Sequence, residues 1–255
     1  MAVPFVPLKR FGQNFLKDPN IIRKIVSVVQ APLGAKVVEI GPGTGALTAL
    51  LLELYPDMVA IELDPRAVTW LHEQYPSLEV RQQDVLETGW EALASGSPLF
   101  VVGNLPYYIT TPILFSLIDH APMVKRAVLM MQYEVAQRLV ALPNSKAYGI
   151  LSVATQLCAQ PEILFKVPPS VFYPKPDVNS AVIALNFYSP PEREVPVSET
   201  YLRQVIRTAF NQRRKTLRNS LHSLGEVPEK WAGLRAENLI PHDFVELAVA
   251  LSLNT

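Results

Sequence analysis

The sequence KVVEIGPGTG, residues Lys36 to Gly45, decides the fold class of this chain. A short β-branched run leads directly into three closely spaced glycines, and apolar positions at helical spacing follow from Ala46. Glycine is needed where the backbone turns tightly and approaches a ligand closely. The stretch therefore predicts a buried strand, a ligand-binding turn and a crossover helix.

The same alternation of strands and helices continues along the chain. It indicates parallel strands with crossover helices on both faces of one sheet. Helices are predicted at about Ala46–Tyr55, Pro65–Gln74 and Gly149–Cys158. The predicted strands are about Lys36–Ile40, Met58–Glu62, Leu78–Gln83, Leu99–Gly103, Arg126–Gln132, Glu162–Val167 and Ser180–Phe187. We therefore expect an α/β domain with a mostly parallel seven-stranded sheet, whose last two strands pair antiparallel at one edge.

A second, smaller domain is expected at the C-terminal end. The stretch Ser189–Val197 is rich in proline and charge, and the residues after it have helical spacing without strand signals. We predict a sheet domain at residues 1–190 and a small all-α domain at residues 191–255.

Composition restricts the compartment and the partners. The 23 basic and 23 acidic residues balance, so affinity for nucleic acid must come from local clustering. No apolar run approaches the ~18 residues of a membrane span, and the first residues lack a signal-peptide pattern. One cysteine, Cys158, excludes an internal disulfide, and the histidines show no metal spacing. We expect a cytoplasmic monomer without a metal or a membrane partner.

Acidic residues after the next two strands extend the glycine turn into a candidate nucleotide site. Gly41 and Gly43 lie in the turn, and Glu62 ends the second strand, where its carboxylate can accept from both ribose hydroxyls. Asp84 closes the third strand, where it can accept from an adenine amine or equally cap a helical turn. These residues alone fit NAD and S-adenosylmethionine about equally well.

The fourth strand leads into Asn104-Leu105-Pro106-Tyr107, at the sheet edge where open α/β proteins bind ligands. The Asn104 side-chain oxygen and the Leu105 carbonyl can each accept one N–H of an exocyclic amine, which turns its lone pair toward a methyl donor. Pro106 stiffens the turn by fixing φ, and Tyr107 can stack on a flipped base. The turn favours S-adenosylmethionine as the cofactor and methylation of an adenine amine as the reaction.

A basic segment near the C-terminal end is a candidate RNA contact. Residues 201–222 contain six arginines and lysines and no acidic residue. The cations near the predicted helix start are Arg213, Arg214, Lys215 and Arg218. Such a cluster suits the phosphates of a folded RNA.

Four motifs in a fixed order carry a resemblance to a known family. They are Phe11–Leu16, Glu39–Gly45, Asn104–Tyr107 and Phe172–Ser180, the last of which fits F-x-P-x-P-x-V-x-S. On these motifs the chain resembles the KsgA family of small-subunit ribosomal RNA adenine dimethyltransferases, from Lys9 to the C-terminal helices.

The resemblance implies a Rossmann-like class I S-adenosylmethionine methyltransferase with a C-terminal RNA-recognition domain. It implies N6-dimethylation of two adjacent adenines in the 3′-terminal hairpin loop of small-subunit (16S) ribosomal RNA, coupled to ribosome assembly. The partner is then that RNA or the assembling 30S particle. The cofactor contacts that it implies are Asn14, Leu16, Gly41, Glu62, Asp84 and Asn104.

Two further positions follow from the resemblance. Phe172 is implied to face the target base opposite Tyr107. Tyr133 stands where the family typically has a lysine, so an RNA contact by a lysine at that position does not carry over.

Other functions remain open on the sequence. They are a resistance-type methyltransferase of large-subunit RNA, a methyltransferase of protein glutamine, a non-catalytic RNA-binding assembly factor and an NAD-dependent oxidoreductase. Leu105 favours the small-subunit enzyme over the resistance type, whose members more often carry isoleucine there.

Overall fold

A computed structural model gives the fold of the chain and describes residues 5–8, 11–189 and 196–253. Two sequence predictions fall outside these ranges. Lys9, where the family resemblance begins, is one, and the boundary predicted between residues 190 and 191 is the other.

The chain divides into two compact units that differ from the predicted contiguous domains. The first is formed by residues 1–136 and 162–187, and the second by residues 137–161 and 188–255. The helix predicted at about Gly149–Cys158 therefore belongs to the helical unit. The physical reason is packing, because the apolar side chains of this helix are part of the second unit's hydrophobic core.

The strands form a seven-stranded sheet and a separate two-stranded sheet. They are β1 (Phe15–Leu16), β2 (Lys36–Ile40), β3 (Val59–Glu62), β4 (Glu79–Gln82), β5 (Leu99–Asn104), β6 (Val124–Gln132), β7 (Ala159–Val167), β8 (Phe172–Tyr173) and β9 (Ser180–Phe187). The large sheet has the order β4-β3-β2-β5-β6-β9-β7, and β1 pairs with β8. Neighbours from β4 to β6 are parallel, and β9 is antiparallel to β6. The predicted mostly parallel seven-stranded sheet is confirmed, with the last two strands neighbours at one end and β7 at the edge.

Helices connect the strands and form the second unit. In the first part of the chain they are α1 (Pro19–Ser27), α2 (Thr48–Leu54), α3 (Pro65–Gln74), α4 (Trp90–Ala94), α5 (Thr110–Asp119) and α6 (Tyr133–Leu139). The remaining helices are α7 (Ile150–Cys158), α8 (Glu199–Asn211), α9 (Leu217–Ser220), α10 (Glu229–Ala232) and α11 (Pro241–Ser252). Among the described residues, no helix combines the length and hydropathy that a bilayer crossing requires.

Local chemistry explains where two of these helices begin. The Asp64 side chain accepts from the Arg66 N–H and Pro65 occupies the first helical position, so α3 has the predicted bounds. The helix α2 begins at Thr48 instead of Ala46, because the glycine turn continues through residues 43–47.

Both faces of the large sheet are covered. Successive side chains of β2 point to opposite faces. Val37 packs with residues of α1 and α2, and Val38 and Ile40 on the other face are also buried. Two buried faces are the signature of a parallel sheet between helices, as the sequence predicted.

A close approach between β2 and β5 aligns the two turns of interest. Gly103 pairs with Ile40, and a Cβ at position 103 would lie 2.8 Å from the Ile40 carbonyl oxygen. The missing side chain lets the strands pack at this point. As a result the turn after Ile40 and the turn after Asn104 lie side by side.

The second unit is built on its own apolar core, to which α7, α8 and α11 contribute. Its aromatic centre joins Tyr148, Phe210 and Phe244, with ring centroids 6.0 and 5.7 Å apart. The buried Tyr148 hydroxyl donates to the Leu239 carbonyl oxygen at 2.8 Å, so its polar atom is satisfied inside the core.

Candidate active site

An open cavity lies at the carboxyl ends of four neighbouring parallel strands. Its walls include Gly41, Glu62, Asp84 and Asn104, which stand at or just after the ends of β2, β3, β4 and β5. Six further predicted residues line the same cavity: Asn14, Leu16, Gly43, Leu105, Pro106 and Tyr107. The structure thus joins the predicted nucleotide-binding and reacting ends of the site.

The glycine turn is held by the acid at the end of β3. Gly43 has φ +57°, and a Cβ there would lie 3.0 Å from the Phe15 ring. Its N–H donates to one Glu62 carboxylate oxygen at 3.0 Å, and the Asp64 N–H donates to the other at 2.8 Å. Position 43 therefore requires glycine for two reasons, its positive φ and the short distance between a Cβ and the Phe15 ring.

Glu62 keeps acceptor capacity after holding the turn. A carboxylate offers about four lone-pair sites, and the two backbone N–H groups use two of them. Burial raises the pKa of Glu62, while the N–H donors at Asp64 and Gly43 lower it. The remaining acceptor sites suit the ribose hydroxyls that the sequence analysis assigned to this residue.

Asp84 is placed for both roles that the sequence allows, capping a helical turn and accepting from a ligand. One carboxylate oxygen accepts from the Leu86 N–H at 2.9 Å and caps a short 3-10 helix. No other described residue donates to the second oxygen, and Asp84 is part of the cavity wall. The residue can therefore cap the turn and accept from a ligand at once.

Residues 11–16 form a covering segment that is anchored at two strand ends. The Gln13 side chain donates to Asp64 at 2.8 Å, after the end of β3. The Asn104 side-chain nitrogen, at the end of β5, donates to the Asn14 backbone oxygen at 3.0 Å. Leu16, in β1, is buried against the core. The segment thus forms one wall of the cavity.

The contact with Asn14 determines how the Asn104 carboxamide is oriented. Because its nitrogen is used by the covering segment, its oxygen Oδ1 lies on the other side. No described residue donates to Oδ1 or to the Leu105 carbonyl oxygen. Leu105 itself is fixed by a buried side chain and by its N–H, which donates to the Met130 carbonyl oxygen at 2.9 Å. Two acceptors therefore remain available at the reacting end.

Hydrogen bonds also fix the second half of this turn. The Pro106 carbonyl oxygen accepts from the Ile109 N–H and the Thr110 hydroxyl, so α5 begins immediately afterwards. The Tyr107 and Ser180 hydroxyl oxygens are 2.8 Å apart in a hydrogen bond. Burial raises the pKa of Tyr107, with the Ser180 bond acting in the opposite direction. A neutral, half-buried ring consequently stands in the cavity wall.

Phe172 lies in the core of the first unit, beside the cavity's covering segment. Its side chain is 2% exposed, pairs in register with Leu16 and packs in the core of the first unit. It is not among the residues that line the cavity. The contact that the resemblance implies, with Phe172 facing the target base opposite Tyr107, stays a prediction.

The fold neutralises part of the predicted basic cluster. Arg213 donates to Glu237 at 2.8 Å and to the Lys146 and Ser145 carbonyl oxygens, and therefore supports the second unit. Arg218 pairs on the surface with Glu229 at 2.7 Å. The sequence segment itself has no acid, and these acids come from later in the chain.

Two members of the cluster remain available for a partner. Arg214 and Lys215 are exposed, and no ion pair joins either of them to another described residue. The available charge in this segment is therefore smaller than the sequence count indicates.

Glu39 is a site residue that the sequence analysis did not identify. It is 2% exposed, lines the cavity and accepts from the Thr48 hydroxyl at 2.7 Å. Burial raises its pKa to about 8, against the Thr48 hydrogen bond and with a further contribution from Glu62. An acid inside an apolar strand, directly before the glycine turn, was the available signal. No metal-binding group of acids, histidines or cysteines occurs among the described residues.

The raised pKa of Glu39 predicts a pH-dependent stability. The folded-state pKa of about 8 exceeds the ordinary value of 4.5, so the folded protein retains a proton that the unfolded chain releases. Stability must then fall as the pH rises from 4.5 and level off above about 8. Glu39→Gln is neutral throughout and keeps an acceptor for Thr48, so its unfolding free energy should fall less over this range in urea titrations.

The exposed Glu53 of α2 provides the control for that measurement. Glu53→Gln should retain the wild-type pH dependence. Equal pH dependences for Glu39→Gln and the wild type would show that Glu39 does not carry the proton.

Comparison with known proteins identifies the family. Residues 8–247 match the family described as ribosomal RNA adenine dimethylase. A protein of Salinibacter ruber named ribosomal RNA small subunit methyltransferase A is 49% identical, over 97% of this chain and 86% of that protein. A protein of the same name from Chlorobaculum parvum is 45% identical, over 94% of this chain and 87% of that protein.

Solved structures agree with this assignment. A dimethyladenosine transferase from Plasmodium falciparum is 28% identical, with a TM-score of 0.79 over 94% of this chain and 98% of that chain. The 23S rRNA methyltransferase ErmE is 25% identical, with a TM-score of 0.70 over 94% of this chain and all of that chain. The predicted class I methyltransferase fold is confirmed, and the chain belongs to the ribosomal RNA adenine dimethylase family.

Proposed function

We propose that this chain transfers methyl groups from S-adenosylmethionine to the N6 amine of adenines in small-subunit ribosomal RNA, forming dimethyladenosine. One observation carries the proposal. The Asn104 carboxamide is held through its nitrogen by Asn14, which leaves Oδ1 and the neighbouring Leu105 carbonyl oxygen as two acceptors. An exocyclic NH₂ group offers the two matching donors.

The cavity fits the proposed cofactor. Gly41 and Gly43 let the backbone approach a ligand, and Glu62 and Asp84 offer acceptors for a ribose and an adenine amine. When bound, S-adenosylmethionine supplies an electrophilic methyl group on a positively charged sulfur. The carboxamide of Asn104 is neutral, so it does not hold that charge in an ion pair.

The remaining catalytic contribution comes from positioning. If Asn104 and Leu105 each accept one N–H, the nitrogen lone pair is turned out of conjugation with the ring and toward the cofactor. No strong general base is needed, since the nitrogen's proton becomes acidic once the new N–C bond forms. The fixed Tyr107 ring gives the base a surface for stacking. Holding the amine in line with the methyl group supplies the proximity effect.

The finer features of the proposal extend the family resemblance. They are two adjacent adenines of the 3′-terminal hairpin loop as the target, the assembling 30S particle as the partner and the cytoplasm as the compartment. Support comes from the curated relatives, which are named for the small subunit. Arg214 and Lys215 offer exposed charge for that RNA in the second unit.

Methylation of large-subunit RNA is the second candidate, because ErmE has a similar fold. A direct experiment separates the two. The protein is incubated with labelled S-adenosylmethionine and unmethylated small or large ribosomal subunits, and the digested RNA is analysed for dimethyladenosine. The proposal requires labelled dimethyladenosine from the small subunit. Labelling of the large subunit alone would reject it.

Asn104→Ala tests the role of the carboxamide. Removing one acceptor and the anchor to Asn14 should lower kcat by about 100-fold or more, the usual scale for a lost transition-state hydrogen-bonding group. Steady-state kinetics with unmethylated small subunits measures this, and calorimetry reports S-adenosylmethionine affinity. The exposed Asn219 of α9 supplies the control, since Asn219→Ala should retain wild-type turnover. Wild-type kcat in Asn104→Ala would exclude the proposed role.

The structure also separates the members of the basic cluster. Arg214→Gln with Lys215→Gln should weaken RNA binding and reduce its salt dependence by about 0.7–0.9 per lost charge, with unchanged stability. Arg213→Gln should instead lower the stability, because it breaks contacts with Glu237 and two carbonyl oxygens. Filter binding at several salt concentrations and urea denaturation measure both. Unchanged RNA affinity in the double variant would contradict the assignment.

A further inference from the structure

We propose that the first unit carries its own RNA-binding surface, formed by residues 172–179 and by a tyrosine with a lysine over its ring at each end of this loop. We call it the loop surface. Its ligand is the unpaired RNA next to the target adenine, so the inference rests on the proposed function. The surface consists of Lys17, Tyr133, Lys166, Tyr173 and Lys175.

The first lysine-tyrosine pair stands where the loop begins. Lys17 Nζ lies 5.1 Å from the centroid of the Tyr173 ring, and Tyr173 is 47% exposed. The Lys17 N–H donates to the Val171 carbonyl oxygen at 2.9 Å, and Phe15 pairs in register with Tyr173. The β1–β8 pairing therefore fixes an ammonium group beside an exposed aromatic ring.

The second pair stands where the loop ends. Lys166 Nζ lies 3.9 Å from the centroid of the Tyr133 ring. The Tyr133 N–H donates to the Asn179 carbonyl oxygen at 2.9 Å. Tyr133 is the position at which this chain departs from the family's lysine, and Lys166 of β7 brings a positive charge to that position. Lys166 thus places a positive charge beside the position where the family's lysine is absent.

The end of the loop leads directly to the reacting end of the cavity. Ser180 follows Asn179, is fully buried and forms the hydrogen bond with the Tyr107 hydroxyl. Tyr107 lines the cavity beside Asn104. The Asn179 end of residues 172–179 therefore lies close to where the proposed adenine would bind, within reach of RNA next to that adenine.

The chemistry of the loop surface matches unpaired RNA. Lys17, Lys166 and Lys175 are exposed, and no ion pair joins any of them to another described residue. Asp177 is the one acid within residues 172–179. Ammonium groups bind phosphates, and exposed aromatic rings stack on bases that are not paired. A surface with both groups favours single-stranded RNA over a duplex, whose bases are already stacked.

A contact between a lysine and another aromatic ring of β7 provides a matched control. Lys24 Nζ lies 4.0 Å from the centroid of the Phe165 ring, which packs on the hydrophobic core. Residues 165 and 166 are neighbours in β7, so their side chains point to opposite faces. Loss of the Lys24 charge therefore removes a similar contact without changing the loop surface.

The test compares Lys17→Gln, Lys166→Gln and the control Lys24→Gln in methyl transfer to unmethylated small ribosomal subunits. Each loop-surface variant should raise KM about 3- to 10-fold, leave kcat within twofold and reduce the salt dependence of log KM by about 0.7. Calorimetry should give wild-type affinity for S-adenosylmethionine in all three. Lys24→Gln should retain the wild-type KM and salt dependence.

A rescue variant distinguishes an RNA contact from a structural role. Combining Tyr133→Lys with Lys166→Gln returns the charge to the end of the loop without the ring contact, and should restore the wild-type KM. Wild-type KM and salt dependence in both single variants would overturn the inference, as would equal effects in Lys24→Gln. If the wild-type protein does not methylate the particle, the proposed function fails. In that case, filter binding of labelled small subunits by the same variants tests whether the loop surface binds RNA.

Discussion

The hydrogen bond from the Asn104 side chain to the Asn14 carbonyl oxygen is the contact on which the site depends. It joins a covering segment near the start of the chain to a turn ninety positions later. A carboxamide that gives its nitrogen to the protein can give its oxygen to a ligand. The same contact holds the covering segment over the cavity. The position of this cavity wall and the direction of the Asn104 side-chain oxygen are therefore linked.

The sheet makes this contact possible. A parallel sheet brings its strand ends to one edge, and the missing side chain at Gly103 lets β5 pack directly against β2. The glycine turn and the Asn104 turn consequently face one cavity. Glu39 lies beneath that cavity as a buried acid, and Glu62 holds the turn above β3. Burying an acid costs stability, which indicates that these residues serve the site more than the fold.

Local sequence patterns were sufficient for the sheet and for most of the cavity wall. Pro65–Gln74 and Ser180–Phe187 have the predicted bounds, since their periodicity and caps are encoded in neighbouring residues. Acidic and amide residues after parallel strands could be assigned to one edge because that geometry is general. The anchor between Asn104 and Asn14 could not be predicted, as it joins a side chain to a distant backbone oxygen.

Several features that the sequence does not show depend on contacts between distant parts of the chain. Residues 137–161 belong to the helical unit, because helices later in the chain complete their core. Arg213 is held by Glu237, which the charge pattern of its own segment does not contain. Phe172 is buried in the core of the first unit and pairs in register with Leu16, from the start of the chain. Lys166 Nζ lies over the Tyr133 ring, a contact that is equally invisible in the local motif.

The central claim is that Asn104 keeps its nitrogen on Asn14 while its oxygen binds the adenine amine. A crystal structure with S-adenosylhomocysteine and adenosine tests this most directly. The account predicts an N6 atom within hydrogen-bond distance of both Asn104 Oδ1 and the Leu105 carbonyl oxygen, with the Asn14 contact intact. An adenine whose N6 atom contacts neither oxygen, or a carboxamide turned away from Asn14 and from the base, would contradict it.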